Sequence, residues 1–460
     1  MKRARNSFFK MKCCSFALPR IFHQAGVVAR VGSFVQECSA RLFLDLMFAN
    51  KVERALDKIR EIFPPTPLEF SRFLSQKHGA KIFLKREDLT PVRSYKVRGA
   101  FFFVASFLQK DESFAGKFVC ASAGNHAQGL AFSCAHFGKR CVIFMPTVTP
   151  QQKIDRTKKL GGKWVKIHLV GDTVDESLAA AEKFCKKEQG VFVPPFDHEQ
   201  IITGQATLAA EILESESDVD LLLTPVGGGG LAAGIISFFK ERRPQTKIFC
   251  VEPEGKQTLQ MSLAQGRNIC NEQVDMFCDG VAVKKLGEKP WKILRENLHT
   301  KVLNCPENRV AKTILQFLSR DGIILEPAGA LAVDAVKNFS KSEIAGKKIV
   351  CVVSGGNFDF ERLRDVKERA MRFAGLKKYL ILRLPQRPGA LKEFLNLLGK
   401  DDDIARFEYL KKSAKSFGSV LLGIETSAPE NFQKLFAKMQ KRGFDFQDVS
   451  ENELLFDLLV

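Results

Sequence analysis

Short apolar runs alternate with longer amphipathic stretches from about residue 80 to residue 355. The runs are rich in β-branched and aromatic residues, as strands are, and the stretches between them repeat their apolar residues at helical spacing. This alternation predicts a doubly wound α/β domain on parallel sheets, which binds ligands at the carboxyl ends of its strands. The predicted helices include 203–213 and 231–239, and the predicted strands are 81–85, 118–121, 141–145, 164–169, 221–226, 248–251 and 349–353.

After Gly375 the pattern of apolar positions changes and predicts shorter elements in the order βαββα. This order predicts a separate α+β unit of the ferredoxin-like type. We therefore expect a basic extension at 1–46, a catalytic domain at 47–372 and a small domain at 376–460, with the charged stretch 366–372 as a hinge or linker helix. The predicted elements of the small domain are strand 379–384, helix 390–398, strands 404–409 and 420–424, and helix 430–441.

The chain is basic, with 71 Lys and Arg against 52 Asp and Glu and a net charge of +19. The excess is scattered beyond residue 46, with no zinc-finger spacing and no basic stripe interleaved with aromatic residues, so we expect a solvated basic surface and no nucleic-acid partner. The 12 cysteines show no C-x-x-C spacing, which favours a reducing compartment and no metal site. No segment approaches the roughly 20 apolar residues that span a bilayer, so no membrane role is expected.

The first acidic residue of the chain is Glu37, and the segment before it is rich in Arg, Phe and Ser. Mitochondrial and plastid presequences have this composition. A disordered extension, or an upstream start preceding a true start at Met47, would have it as well. We expect an extension on a cytoplasmic protein, with a mitochondrial or plastid location as the alternative.

Four consecutive glycines, Gly227, Gly228, Gly229 and Gly230, follow an apolar strand, and Leu231 opens a helix after them. Backbone N–H groups without side chains at the positive end of a helix form a cradle for a phosphate. A dinucleotide site is the direct competitor, because the pattern 228-x-230-x-x-233 imitates the nicotinamide fingerprint and Glu252 falls where a ribose-binding acid would. A flexible loop is the third possibility, and the glycines alone leave all three open.

A second strand-to-helix junction has the sequence SAGNHAQG at 122–129. Its small residues let the backbone close around a ligand, while Ser122, Asn125, His126 and Gln128 offer hydrogen bonds. The alternative is an N-capped helix with a core histidine. Four polar groups between small residues favour the binding site.

A third segment, SYKVRGA at 94–100, contains Lys96. Lysine is the side chain that forms Schiff bases, and burial lowers its pKa so that the neutral amine is available. Nothing in the local spacing distinguishes Lys96 from the other basic residues.

Taken together, SYKVRGA, SAGNHAQG, GGGGL at 227–231, EPAGA at 326–330 and SGGN at 354–357 resemble, in this order, the motifs of the threonine dehydratases. These belong to the tryptophan-synthase-like, fold type II enzymes that use pyridoxal 5'-phosphate. The resemblance runs from about residue 48 to the end of the chain. It implies a two-lobed catalytic domain of doubly wound parallel sheets followed by an ACT-like regulatory domain, and it favours the phosphate cofactor over the dinucleotide.

The resemblance also implies roles for individual residues. Lys96 stands where the family's Schiff-base lysine stands and would serve as the general base. Asn125 matches the residue that binds the cofactor's ring hydroxyl, and Ser354 matches the partner of its pyridine nitrogen. The phosphate would be bound by Gly227, Gly228, Gly229, Gly230 and Leu231, and the substrate carboxylate by Ser122, Ala123, Gly124, Asn125 and His126.

The implied reaction is β-elimination and deamination of L-threonine to 2-oxobutanoate and ammonia, the first step of isoleucine biosynthesis. A serine at the ring nitrogen makes a weaker electron sink than an aspartate would, which favours loss of a β-leaving group. Tyr95, Ala328 and Phe358 depart from the residues common in relatives, but none of them removes a catalytic group. They leave L-serine dehydratase or serine racemase, of the same fold, as the alternative.

The tail resembles the regulatory domain of the shorter bacterial biosynthetic threonine dehydratases, through LPQRPGAL at 384–391 and DDDIARFEY at 401–409. The Pro/Gly turn between a strand and a helix would suit an amino-acid carboxylate. We expect isoleucine as the effector, against the alternative of a purely structural appendage, and the family leads us to expect a homotetramer or homodimer.

Overall fold

The computed structural model describes residues 47–410 and 417–452. The predictions for the extension at 1–46 lie outside the described residues. The strands are β1 (Leu68–Phe70), β2 (Lys81–Arg86), β3 (Lys117–Ala121), β4 (Arg140–Met145), β5 (Val165–Leu169), β6 (Val191–Phe192), β7 (Leu221–Pro225), β8 (Lys247–Pro253), β9 (Leu303–Cys305), β10 (Lys348–Val353), β11 (Lys377–Pro385), β12 (Asp402–Leu410), β13 (Phe417–Thr426) and β14 (Asp445–Asp448).

Helices connect these strands throughout the described chain. They are α1 (Phe48–Arg60), α2 (Arg72–His78), α3 (Lys96–Lys110), α4 (Asn125–His136), α5 (Gln151–Gly161), α6 (Val174–Lys187), α7 (Glu199–Ser215), α8 (Gly230–Arg242), α9 (Thr258–Gln265), α10 (Glu288–Asn297), α11 (Glu307–Asp321), α12 (Pro327–Asp334), α13 (Lys341–Ile344), α14 (Leu363–Phe373), α15 (Ala390–Leu395) and α16 (Glu430–Lys441). No helix of the described residues is long and apolar enough to cross a membrane.

Two separate sheets form the catalytic part of the molecule. One has the order β1-β2-β10-β7-β8-β9 and the other β5-β4-β3-β6, and every pairing is parallel except β1 with β2. The central strand β7 is buried along its whole length, as expected of a parallel strand covered by helices on both faces. The predicted two-lobed, doubly wound architecture is confirmed. The sequence pattern missed only short strands of this region, namely β1, β6 and β9.

Helix α7 holds the two lobes together, because it packs against α3 on one side and α8 on the other. Its residues from Ile201 to Ile212 are all buried. Close approach to α3 depends on Gly204, where a Cβ would lie 2.7 Å from the backbone oxygen of Arg98. The helices that begin at Lys96 and at the glycine run are therefore fixed relative to each other through α7.

A cluster of buried charges lies where α3, α7 and β2 meet. The guanidinium of Arg98 donates to both carboxylate oxygens of Glu87 and of Glu211, at 2.7 to 2.9 Å. Lys85 Nζ donates to Glu211 Oε2 at 2.5 Å and to the backbone oxygen of Thr66 at 2.7 Å. All four charged side chains are buried. We call Lys85, Glu87, Arg98 and Glu211 the buried ion cluster.

The C-terminal unit is an antiparallel sheet with the order β12-β13-β11-β14. Helices α15 and α16 contribute Phe394, Leu435 and Met439 to its core, against Leu382 and Leu422 of the sheet. The βαββα order is as predicted, and β14 completes the ferredoxin-like pattern. The sequence pattern did not predict this last strand.

The linker stretch 366–372 is helical, as predicted, within α14. Val366 and Ala370 pack into the core formed around β10, so this helix is attached to the catalytic part rather than free between the two units. Lys377 at the start of β11 donates to Glu368 of α14 at 2.5 Å, and this contact joins the helix to the regulatory sheet.

Candidate active site

Three of the motifs found in the sequence meet around Lys96, the first residue of α3. Ser94 pairs with Gly355 in an isolated β-bridge, and the backbone N–H of Tyr95 donates to Ser354 O at 3.1 Å. Helix α4 lies directly on the start of α3, since a Cβ at Gly129 would be 3.1 Å from Lys96 O. The segments 94–100, 122–129 and 354–357 are thus neighbours in space.

The amine of Lys96 is in an apolar setting. Its Nζ donates to the backbone oxygen of Pro195 at 2.9 Å and lies 5.4 Å and 6.0 Å from the ring centres of Tyr95 and Phe196. Burial lowers the pKa of Lys96 to about 8, while the nearby carboxylate of Glu326 acts in the opposite direction. A substantial neutral fraction at physiological pH makes this amine a usable nucleophile and base.

The glycine run forms a largely buried turn between β7 and α8. Gly229 has φ +90°, a conformation that residues with a Cβ rarely adopt, and it precedes the first residue of α8. In the part of the chain that the structure describes, the N–H groups of 227–231 donate to no acceptor. The ring of Phe196 lies against Gly228, and the same ring faces Lys96, so the loop and the amine share one site.

Asn125, at the first position of α4, has its side-chain amide fixed by two neighbours. Its Nδ2 donates to Glu326 Oε1 at 2.7 Å, and its Oδ1 accepts from Asn357 Nδ2 at 2.6 Å. Burial, with a contribution from Asp279, raises the pKa of Glu326 to about 7. Through these hydrogen bonds, the motifs EPAGA and SGGN each contact Asn125, the residue expected to bind the cofactor ring.

Ser354 directly follows β10 and is almost completely buried. Its Oγ donates to the backbone oxygen of Ala328 at 3.3 Å, a long and therefore weak hydrogen bond. A hydroxyl can rotate its single proton to a better acceptor. The geometry is thus compatible with donation to a ring nitrogen, at the expense of the bond to Ala328.

The segment 122–126 leads into α4. The backbone N–H of Ser122 donates to Phe144 O at 3.0 Å, so the donors left for a ligand are the Ser122 hydroxyl and the N–H groups that follow it. Ser122, Ala123, Gly124 and Asn125 are only partly buried. The ring of His126, in contrast, is buried, with Nε2 2.9 Å from Val193 O, and burial lowers its pKa to about 3. The imidazole is therefore neutral and anchored to the protein, which leaves the backbone N–H of this residue as its means of contacting a substrate carboxylate.

Glu252 decides against the dinucleotide alternative. Its carboxylate is completely buried and accepts hydrogen bonds from Lys256 Nζ and from the backbone N–H groups of Leu259 and Gln260, at 2.7 to 3.0 Å. A carboxylate with these partners is not available to a ribose hydroxyl.

The residues present fit pyridoxal phosphate. The site offers a lysine amine for the aldehyde and a loop of unpartnered amides for the phosphate. Buried polar atoms without a hydrogen-bond partner in the described chain include Ser94 Oγ, His126 Nδ1 and Gln128 Oε1, all within the motifs of the site. No group of three or more His, Cys, Asp or Glu side chains in the described residues is arranged to hold a metal ion.

Comparisons with known proteins agree with this geometry. Residues 59–355 match the family of pyridoxal-phosphate dependent enzymes, and residues 368–459 match the C-terminal regulatory domain of threonine dehydratase. The fold and the site thus define an enzyme of the pyridoxal-phosphate-dependent class.

Individual relatives narrow this class. The biosynthetic L-threonine dehydratase of Halalkalibacterium halodurans is 44% identical over 418 residues, which cover 90% of this chain and 98% of the relative. The processed form of threonine deaminase isoform 2 from Solanum lycopersicum is 35% identical with a TM-score of 0.65, over 70% of this chain and 89% of that chain. The serine racemase of Dictyostelium discoideum is 26% identical with a TM-score of 0.62, over 68% and 99%. The chain belongs to the biosynthetic threonine dehydratase family.

Sequence reasoning gave no role to several residues that the structure places at the site. Glu326 lies within EPAGA and Asn357 within SGGN, and their positions in those motifs were a usable signal. Pro195 and Phe196 lie in a loop without any such pattern. Lys256 lies in the turn after β8, and no local sequence signal relates it to the glycine run.

Proposed function

We propose that this protein converts L-threonine to 2-oxobutanoate and ammonia, with Lys96 as both the attachment point of pyridoxal phosphate and the general base. The observation that carries the proposal is the amine of Lys96, with its lowered pKa, beside a loop of unpartnered backbone amides. The α-carbon loses its proton and the β-carbon loses hydroxide, which together amount to loss of water. The resulting enamine gains a proton at the β-carbon, and water then replaces ammonia at the α-carbon, so no external oxidant or reductant is required.

When bound, the cofactor supplies the electron sink that makes the α-proton acidic. The N-terminus of α4 would hold the substrate carboxylate through the backbone N–H groups at 123–126. The N–H of Ser122 already donates to Phe144 O at 3.0 Å, so Ser122 would contribute its hydroxyl. Asn125, fixed by Asn357 and Glu326, would orient the ring, and Ser354 would donate to its nitrogen. Lys96, with its amine free, would be the group positioned to take the α-proton.

The experiment is a comparison of substrates with the purified enzyme. L-Threonine, L-serine and D-serine are supplied separately, and 2-oxo acid, ammonia and the serine enantiomers are measured. We expect threonine to give the highest kcat/KM. Faster racemisation of serine than deamination of either amino acid would contradict the proposal and favour a serine racemase.

We further propose that the regulatory unit binds isoleucine and thereby lowers activity toward threonine. The match of residues 368–459 to a threonine dehydratase regulatory domain supports this, and so does the pathway position of 2-oxobutanoate. Titration of the full enzyme with isoleucine, with leucine as the matched control, is expected to show binding and a loss of activity at subsaturating threonine. Neither binding nor a kinetic change at saturating isoleucine would contradict it.

The remaining organisation is also part of the proposal. We assign residues 47–372 to catalysis and 376–460 to regulation, in a cytoplasmic homotetramer or homodimer. The free cysteines of the described chain, most of them buried, are consistent with a reducing compartment. Sedimentation equilibrium would give the oligomeric state directly, and a monomer at micromolar concentration would contradict this part.

A further inference from the structure

Lys256 is a completely buried lysine close to the glycine loop, outside every motif assigned above. It lies in the turn between β8 and α9. Its Nζ donates to Glu252 Oε1 at 2.7 Å and to the backbone oxygens of Val226 and Gly227, each at 3.3 Å. The three protons of the ammonium thus have three acceptors, so this lysine is not available as a nucleophile or a base.

The two carbonyl contacts are long at 3.3 Å, but their donor is charged, and a charge-assisted hydrogen bond is stronger than a neutral one of the same length. They therefore favour one orientation of two peptide planes. In a planar trans peptide the C=O and the following N–H point in opposite directions. Holding the C=O of Val226 toward Lys256 therefore directs the N–H of Gly227 away from it. The C=O of Gly227 fixes the N–H of Gly228 in the same way.

The next two planes of the loop are held by the backbone itself. The C=O of Gly228 accepts from the N–H of Gly287 at 3.0 Å, and the C=O of Gly229 accepts from the N–H of Ala233 at 2.9 Å. Four consecutive carbonyls are thus engaged by the protein, while the N–H groups that follow them have no acceptor in the described chain. Lys256 accounts for the first two.

Glu252 places the ammonium at this position. Besides Lys256 it accepts the N–H groups of Leu259 and Gln260, which belong to the first turn of α9. One carboxylate therefore joins the end of β8, the start of α9 and the lysine. Because a buried charge without a partner is strongly unfavourable, the ion pair keeps Lys256 against the loop.

We propose that Lys256 is a positioning residue of the phosphate-binding loop, which orients the N–H groups of Gly227 and Gly228 toward the cofactor phosphate. This inference rests on the proposed phosphate site at 227–231. It predicts that Lys256 contributes to the affinity for the phosphate group of the cofactor and not to the affinity for its ring.

The test compares pyridoxal phosphate with pyridoxal, which lacks the phosphate, as ligands of the full-length apoenzyme. The quantity of interest is the ratio of the two dissociation constants, measured by absorbance titration. Both ligands carry the aldehyde that reacts with Lys96, so the ratio isolates the phosphate contribution. The variant is Lys256→Met, which removes the charge and keeps the length of the side chain.

We expect the preference for pyridoxal phosphate to fall by about tenfold to a hundredfold in Lys256→Met, the effect of losing one or two hydrogen bonds to a charged group. Lys377→Met is the matched control, because it also removes a nearly buried lysine that is paired with a glutamate, here Glu368. The preference of this control should equal that of the wild type.

A preference in Lys256→Met equal to that of the wild type would overturn the inference and leave the proposed function intact. A wild-type enzyme without any preference would overturn the phosphate site itself. If the single variant does not fold, Lys256→Met/Glu252→Gln removes both buried charges together and leaves no unpaired one. The same loss of preference is expected of the double variant, and its absence would also overturn the inference.

Discussion

Two regions rich in buried polar groups each include one residue of helix α3, and they differ in how completely those groups are partnered. In the buried ion cluster, Lys85 and Arg98 are matched by Glu87 and Glu211 at hydrogen-bonding distance. At the site around Lys96, several side-chain atoms and the amides of the glycine loop have no partner in the described chain. A folded protein pairs its buried polar groups unless another molecule completes them. The first region is therefore complete within the fold, so that removing one partner would leave a buried charge uncompensated, and the second is suited to a ligand.

The largest effect should come from exchanging one lysine in each region for methionine. Lys96→Met removes the proposed base and attachment point, so we expect threonine turnover to fall by at least about 10⁴-fold, with the free energy of unfolding changed by less than about 1 kcal/mol. Lys85→Met should instead lower stability, because Glu211 loses a buried partner. The measurements are 2-oxo acid formation and urea unfolding.

Lys96→Met retaining more than a few per cent of the wild-type turnover would remove the distinction between the two regions. A Lys85→Met protein as stable as the wild type would also contradict the distinction, because it would show that the buried ion cluster does not depend on Lys85.

Arg98→Met should give the largest loss of stability. It takes the shared cation from two buried carboxylates, and breaking a buried ion pair in this way costs about 3–5 kcal/mol. Both tryptophans of the chain, Trp164 and Trp291, belong to the catalytic part, so their fluorescence during urea unfolding reports on this part alone.

The control for this variant is Arg242→Met, whose partner Glu53 is exposed. Exposed pairs contribute about 0–1 kcal/mol. Equal losses of unfolding free energy in the two arginine variants would show that burial of the ion cluster does not increase its contribution to stability.

Protonation of Glu211 at low pH should weaken the buried ion cluster. The guanidinium of Arg98 and the ammonium of Lys85 outweigh burial and lower the pKa of Glu211 to about 2, from an ordinary value of 4.5. The stability that this carboxylate contributes is present above pH 4.5 and is lost as the pH falls toward 2. The difference in unfolding free energy between the wild type and Glu211→Gln should therefore shrink over that interval. A difference that stays constant from pH 5 to pH 2.5 would contradict this.

The smallest effect concerns the pH at which Lys96 reacts. Because its pKa is lowered to about 8, attachment of pyridoxal phosphate to the apoenzyme should accelerate as the pH rises through about 8. The carboxylate of Glu326 favours the charged amine, so Glu326→Gln should move this midpoint to lower pH. Stopped-flow absorbance would measure the rate of attachment at each pH. A midpoint moved to higher pH would contradict the assigned effect of Glu326 on the pKa of Lys96.

The sequence predicted the fold well because the strong signals are local. Buried parallel strands such as β7 are continuous apolar runs, and α16 was predicted with its observed bounds. The strands that were missed are short or lie at sheet edges. The pattern placed Trp164 in a strand, whereas the structure has it in a short 3₁₀ helix before β5. Two residues of β6 carry too little periodicity to be recognised.

The site could be predicted only in part, for a different reason. Motifs identify residues that contact a ligand through local spacing, as for Lys96 and the glycine run. Lys256 contacts the loop across the sheet, from the turn after β8 to the loop after β7. No local sequence pattern predicts such a contact, although parallel strands bring these two turns together at one edge of the sheet. Pro195 and Phe196 follow β6, whereas the glycine run follows β7 of the other sheet. Their proximity depends on how the two lobes pack together, which a sequence pattern does not show.

The most direct test of the account is to locate the cofactor on the chain. The purified enzyme is treated with borohydride, digested, and searched by mass spectrometry for the peptide that carries the reduced pyridoxal phosphate. The account predicts loss of the visible absorption band and a single label, on Lys96. A label on another lysine, or an unlabelled enzyme that still deaminates threonine, would contradict it.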